Sequence, residues 1–151
     1  MIYFDTSYLV RLYYQDPGAD RVRALAATDH VACAAHGQAE MMGAFHRKLR
    51  EGAIRPAAYA ALVGQVEAHI AAGAFQWLAQ DGEILSRVRH AYHRLSASVF
   101  LRGADAIHLA TAAEAGFRII YSNDAHLLAA ARHFGVEGKN VIAKTLRQDG
   151  M

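Results

Sequence analysis

Short apolar runs alternate along the chain with longer segments of helical spacing. Residues 2–4 (IYF) form an apolar run too brief for a helix and consistent with a buried strand. Asp5-Thr6-Ser7 follows, and Leu9, Leu12 and Tyr13 then fall on one helix face. Asp16-Pro17-Gly18 reads as a turn. A short helix with Val22, Leu25 and Ala26 inward leads to a second strand over 30–34 (HVACA). The next helix spans 36–51, with Met42, Phe45 and Leu49 as its buried stripe and Gly52 as its stop. Pro56 suits a helix start, where its missing N–H costs nothing. Tyr59, Leu62, Val63, Val66 and Ile70 keep helical spacing as far as Gly73. A third strand is predicted over 75–79 (FQWLA), then a helix carrying Ile84, Leu85, Val88, Tyr92 and Leu95. An alanine-rich helix over 105–115 is closed by Gly116. A strand at 118–121, a helix over 124–134 closed by Gly135, and a last strand at 140–143 (NVIA) complete the pattern.

About five strands interleaved with helices predict an α/β domain of three layers, α/β/α, around a mostly parallel sheet. The 151 residues fit one domain spanning 1–151, without repeat or linker. Hydrophobic residues make up 54% and charged residues 20%, a globular composition rather than a disordered one. The single cysteine, Cys33, excludes an internal disulfide, and no Cys/His pairs stand at zinc-finger spacing; a reducing cytoplasm is the expected location. No apolar run approaches the roughly 20 residues of a membrane span. The opening MIYFD lacks the basic and apolar regions of a signal peptide. A net charge of +2 alone says little about nucleic acid. Arg47, Lys48 and Arg50 form one basic cluster, and Arg87, Arg89 and Arg94 another.

The acids change the picture. Ligands of open parallel sheets bind beyond the carboxyl ends of the strands. Asp5 directly follows the first strand, and Asp124 follows the 118–121 strand. Asp105 opens the alanine-rich helix, and Glu40 lies in the first turns of the helix after the second strand. All four therefore fall on the same side of the predicted sheet. Clustered carboxylates repel, and cations relieve that repulsion. Mg²⁺ prefers carboxylate oxygens, and such ions can activate water for phosphodiester cleavage. Each acid also has a plainer reading: Asp5, Asp105 and Asp124 are good helix N-caps, and Glu40 alone suits a solvated helix face.

The residues also carry a family resemblance. MIYFDTSYLV resembles the opening strand and turn of PIN domains. LRGADAIHLATAAEAG, residues 101–116, is similar to the most characteristic stretch of VapC toxins, with Asp105 as the metal-binding aspartate. IIYSNDAHLLAAARHFG resembles the closing Thr-x-Asp motif, with Ser122 in place of the commoner threonine, and Glu40 in AEMMGAFHRK matches the helix glutamate. Some members carry a further acid after the last aspartate; Ala125, His126 and Leu127 stand there. The resemblance implies a PIN-like fold and a metal-dependent endoribonuclease toxin that cuts structured RNA such as tRNA or rRNA. It implies Asp5, Glu40, Asp105 and Asp124 as the catalytic acids. Asp5, Asp105 and Asp124 would hold Mg²⁺ or Mn²⁺, and Thr6, Ser7 and Ser122 would orient the carboxylates. It further implies inhibition by a VapB-type antitoxin and a homodimer.

Arg11, Arg47, Lys48 and Arg102 are candidates for RNA contact, each with a solvated or ion-paired alternative. His108 and His126 read as structural histidines sooner than ligands of Mg²⁺. Tyr8, Tyr13, Tyr14 and Trp77 read as core or dimer contacts sooner than base-stacking platforms. Two rival classes are a catalytically inactive PIN-like scaffold and a receiver-like phosphorylation module. Lys144 after the last strand suits a receiver, but Asp5 lacks a paired acid and Gln80-Asp81 fits the acceptor position poorly. A haloacid-dehalogenase-type phosphatase needs Asp-x-Asp where this chain has Asp5-Thr6-Ser7.

Overall fold

A computed structural model describes residues 1–142. The elements run β1 (Ile2–Phe4), α1 (Thr6–Arg11), α2 (Ala19–Ala26), β2 (Val31–Ala34), α3 (Gly37–Arg50), α4 (Pro56–Ala71), β3 (Phe75–Leu78), α5 (Gly82–Arg94), α6 (Gly103–Glu114), β4 (Ile119–Tyr121), α7 (Ala125–Ala130) and β5 (Glu137–Lys139). A single 3₁₀ turn, Ala131–Phe134, extends α7. The five strands form one parallel sheet in the order β3-β2-β1-β4-β5.

Strand alternation divides the core into two layers. Tyr3, Ala34 and Ile120 face a cluster built with Ile84, Leu109 and Leu127. Phe4, Val31 and Cys33 face the opposite cluster, built with Tyr8, Leu9, Met41, Phe45 and Val66. Helices α5 to α7 thus cover one face and α1 to α4 the other. From β1 the chain first builds outward through β2 and β3, then returns to the other side of β1 for β4 and β5. The direction reverses between β1 and β4, and the carboxyl ends of those two strands open a crevice where parallel sheets bind ligands.

Three predicted details are corrected. The fifth strand is 137–139, not 140–143. It is an edge strand whose Glu137 and Lys139 are exposed, so it lacks the apolar signature of a buried strand. Its Gly138 lies so close to Leu128 that an added Cβ would come within 3.0 Å of the Leu128 backbone. Val141 and Ile142, the apolar residues behind the expected strand, instead pack against the α1–α4 core, Ile142 over Gly18. Residue 143 of that strand, and Lys144, lie outside the described residues. In α3 the fully buried stripe is Met41 and Phe45, while Met42 and Leu49 are only half-buried. Helix α6 begins at Gly103, two residues before Asp105.

Candidate active site

Asp5 stands at the carboxyl end of β1 and is 4% exposed. Its extended backbone starts α1, and its Oδ1 accepts the Tyr8 N–H at 3.2 Å and the Ser7 hydroxyl at 2.6 Å. Its Oδ2 accepts the hydroxyl of Ser122, which follows β4, at 2.5 Å. Ser122 Oγ in turn accepts the Asp124 N–H at 2.9 Å, and Ser7 Oγ accepts the Asn123 N–H at 2.9 Å. Two hydroxyls therefore stitch the loop after β1 to the loop after β4. Asp124 caps α7 by accepting the N–H groups of His126 and Leu127 at Oδ1. This leaves its Oδ2 facing the crevice, where it accepts Arg102 Nη2 at 2.7 Å.

Asp105 is not a helix cap. The N-cap of α6 is Arg102, whose side chain makes no capping bond, and Asp105 sits in the first turn. Its Oδ2 accepts Arg102 Nε at 3.0 Å, so one guanidinium bridges Asp105 and Asp124. The structure thus brings Asp5, Asp105 and Asp124 together through two shared partners, Ser122 and Arg102.

Glu40 lies beside them, in the first turn of α3. Its Oε1 accepts the Thr6 hydroxyl at 2.9 Å and meets His108 Nε2 at 2.7 Å and His36 Nε2 at 3.3 Å. His108, on α6 one turn after Asp105, is 1% exposed. Its Nδ1 lies 2.9 Å from the Tyr3 hydroxyl, which accepts the Ala34 N–H. Tyr3, His108 and Glu40 thus form one chain of contacts, with His108 Nδ1 toward the Tyr3 hydroxyl and Nε2 toward the Glu40 carboxylate. Close approach of α3 makes this possible: a Cβ on Gly37 would stand 2.6 Å from Cys33 Sγ and 3.7 Å from the His108 ring.

The electrostatics divide the acids. Burial pushes the Asp5 carboxyl up, against the opposing pull of the His108 charge and of the Ser122, Ser7 and Tyr8 hydrogen bonds. Burial likewise raises Asp105, helped by the Asp124 charge and opposed by Arg102. Burial would also raise Glu40, but the His108 bond and charge, with Thr6 and His36, outweigh it and hold Glu40 below the ordinary range. His36 is pushed down by burial and by His108.

The chemistry of the donor set, three carboxylates on neighbouring strand and helix ends, suits a hard divalent cation, although among the described residues only His36, Glu40 and His108 already have ligand atoms all within 4.8 Å of one another. Asp5, Asp105 and Asp124 offer carboxylate oxygens, the ligands Mg²⁺ and Mn²⁺ prefer, and two of these acids are held toward their neutral forms by burial that a cation would offset. The His36, Glu40 and His108 grouping adjoins these acids, and both ring nitrogens of His108 already have protein partners. His36 escaped the sequence reading, although its spacing of four from Glu40 puts both on one helix face.

Of the candidate RNA contacts, Arg11, Arg47 and Lys48 line one groove together with Thr6 and Ser7. Arg11 is committed to the carbonyls of Ser7 and Pro17, and Lys48 to Asp16 and the Tyr14 ring. Arg47 is 64% exposed and only loosely paired, with Glu51 at 3.9 Å. Arg102 lies apart from this groove, across the acids. Tyr8 is fully buried, its hydroxyl donating to Asn140 and accepting the Val141 N–H. Trp77 packs against the α1–α4 core.

An open parallel sheet with acids gathered at its switch point defines a class of α/β domain whose chemistry sits between two strand ends. The chain belongs to the PIN domain family, whose model matches residues 2–133. Among solved structures, the fold is similar to FitAcB from Neisseria gonorrhoeae, with a TM-score of 0.75 and 18% identity over 93% of this chain and 97% of that one. A FitAB structure bound to a DNA fragment aligns with a TM-score of 0.70 and 18% identity, over 95% of this chain and 96% of that one. VapC20 of Mycobacterium tuberculosis, described as a sarcin-ricin loop cleaving toxin, aligns with a TM-score of 0.64 and 19% identity, over 86% of this chain and 95% of that one. A comparison by sequence with curated proteins finds no match.

Proposed function

We propose that this PIN domain is a metal-dependent endoribonuclease of the VapC toxin type, with Asp5, Glu40, Asp105 and Asp124 as its catalytic acids. The observation that carries the reading is the joining of three acids, from three separate elements, by Ser122 and Arg102 at the sheet's switch point. Three N-caps would need no common location.

Asp5, Asp105 and Asp124 would hold Mg²⁺ or Mn²⁺. When bound, such an ion supplies Lewis acidity that activates water and offsets charge on the leaving oxygen of a phosphodiester. The chain's own residues do the positioning. Ser7 and Ser122 fix both oxygens of Asp5, and Ser122 also fixes the backbone of Asp124. Thr6 and His108 hold Glu40 at the edge of the acids as an ionised carboxylate, able to accept a proton or a water-mediated contact. The groove lined by Arg11, Arg47 and Lys48 leads to Thr6 and Ser7, and offers cations to the phosphates of an approaching strand.

Structured RNA of the tRNA or rRNA class is the proposed substrate, supported by the resemblance of residues 101–116 and by what VapC20 is described as cleaving. The same resemblance supports a VapB-type antitoxin as partner and a homodimer, and the lone cysteine, Cys33, supports a reducing cytoplasmic setting. Among the described residues no helix is long and apolar enough to cross a membrane.

Purified protein incubated with total RNA in Mg²⁺ should yield discrete fragments whose ends can be mapped, and EDTA should stop it. Expression alone should arrest growth, with rescue by a co-expressed antitoxin. Folded wild type that leaves RNA intact in both Mg²⁺ and Mn²⁺ would support the inactive scaffold instead.

A further inference from the structure

We infer that Arg102 is a resident cation of the acidic site: it holds the metal's carboxylates until the ion arrives, and is then released to bind RNA phosphate. The inference rests on the metal site proposed above and adds a role for a residue outside the acid set.

Arg102 is a poor choice for its position on any other ground. It is the N-cap of α6, where Ser, Thr, Asp or Asn would bond the free N–H groups, and its side chain makes no such bond. A cation is also disfavoured at a helix N-terminus. Instead its guanidinium reaches into the crevice and spans two acids from different helices, Nε to Asp105 at 3.0 Å and Nη2 to Asp124 at 2.7 Å. A rigid fork of donors suits this bridging of two carboxylates, and an ammonium could not reproduce it.

The Asp105 and Asp124 oxygens bonded by Arg102 are of the kind a divalent ion takes, so arginine and metal compete for them. Arg102 can yield, because its side chain is 61% exposed and exposed ion pairs are weak. Its release point is also suited to substrate. Phe100, two residues earlier, is 57% exposed and rests on His126, two residues after Asp124. Once displaced, the guanidinium stays tethered at this rim, within reach of a phosphate drawn to the metal.

Binding of Mn²⁺ alone, measured by the loss of its free-ion electron paramagnetic resonance signal, tests the competition without any RNA. Arg102→Gln should bind Mn²⁺ about five- to tenfold more tightly than wild type, the worth of two exposed ion pairs. Arg102→Lys should fall between them, because it keeps the charge and loses the fork. With the metal saturating, Arg102→Gln should raise KM for RNA by about threefold or more while kcat changes less, as for loss of one phosphate contact. Equal Mn²⁺ affinity in wild type and Arg102→Gln overturns the inference. So does Arg102→Lys matching wild type, which would reduce the effect to distant charge. An unchanged KM overturns the transfer to phosphate. If neither wild type nor Arg102→Gln binds Mn²⁺, the inference falls together with the metal reading beneath it; binding by wild type that Asp5→Asn abolishes keeps that reading standing whatever Arg102 does.

Discussion

The inner and outer halves of the acidic site are held by different physics. Asp5 and Glu40 are the inner half in the sense that their partners belong to the fold's interior, although Glu40 itself is more exposed than Asp105: Ser7, Ser122 and a backbone N–H fix one, Thr6 and the buried His108 the other. Asp105 and Asp124, the outer pair, are bridged by one exposed guanidinium. Hydroxyls in a closed network cannot leave without leaving buried oxygens short of donors. An exposed arginine can, at a cost of about 1 kcal/mol or less per pair. The inner half is thus set by folding, and the outer half is open to exchange with a cation.

The largest effect should come from the outer half, on activity. Asp105→Asn keeps the shape and loses a charged ligand, so RNA cleavage in Mg²⁺ should fall by at least about a hundredfold. Metal-free stability should change by no more than about 1 kcal/mol, since burial already holds Asp105 toward its neutral form and its Arg102 partner is exposed. An Asn variant that cuts RNA at the wild-type rate would take Asp105 out of the site.

The inner half should respond in stability instead. Ser122 is fully buried and serves Asp5 and the Asp124 N–H at once. Ser122→Ala leaves both unsatisfied and should cost about 2 kcal/mol in urea unfolding of the metal-free protein, where Arg102→Gln costs less than about 1 kcal/mol. Comparable losses in the two variants would erase the distinction between the halves. Gly37→Ala attacks the same half from the α3 side. Its methyl would press on the buried Cys33 sulfur, so a loss of about 1–2 kcal/mol is expected, whereas Gly43→Ala on the same helix meets open space and should stabilise slightly.

The legibility of the molecule in its sequence follows the same division. Central strands β1, β2 and β4 were visible because parallel strands covered on both faces are continuously apolar. β5 was misplaced because it lies at the sheet edge, where Glu137 and Lys139 face solvent and the apolar Val141 and Ile142 behind it point into the core. Asp5 and Asp124 could be placed at strand ends by local pattern alone. Asp105 could not be distinguished from a helix cap until α6 proved to start two residues earlier, at Gly103. Helix boundaries fray by that much, and capping logic depends on them. The Tyr3–His108–Glu40 chain was illegible for a different reason. It joins β1, α6 and α3 across 105 and 68 residues of sequence, and only packing decides which nitrogen meets which oxygen. Arg102 stood open between phosphate and acid as partner; its ion pairs with Asp105 and Asp124 appear only when α6 and α7 are set side by side.

The smallest effect is a pH dependence, and it separates the two acids of the inner half. Burial raises the folded-state Asp5 carboxyl above its unfolded value. A raised acid contributes stability that is fully present below the unfolded value and lost as pH rises through the folded one. Ionised Asp5 is therefore a cost to the metal-free protein at neutral pH. Glu40 runs the other way: its folded value is depressed, so its contribution is present above the ordinary carboxylate range and lost as pH falls through the folded value. Asp5→Asn removes the first titration and Glu40→Gln the second. In EDTA, the stability of Asp5→Asn relative to wild type should rise as pH climbs above the ordinary aspartate value of 3.8, and that of Glu40→Gln should fall as pH climbs through the range below the ordinary glutamate value of 4.5. The lost Ser122 and Ser7 bonds shift the Asn curve by a constant and leave its slope unaffected. Each slope is limited to a single proton, which is why the effect is small. Mg²⁺ should reverse the ranking at neutral pH, because an ion bound to the folded state stabilises wild type by mass action and finds one ligand fewer in Asp5→Asn. Denaturant melts across both ranges decide the matter: parallel curves for wild type and Asp5→Asn would mean that Asp5 titrates as it does in the unfolded chain and that its burial is not opposed to its charge.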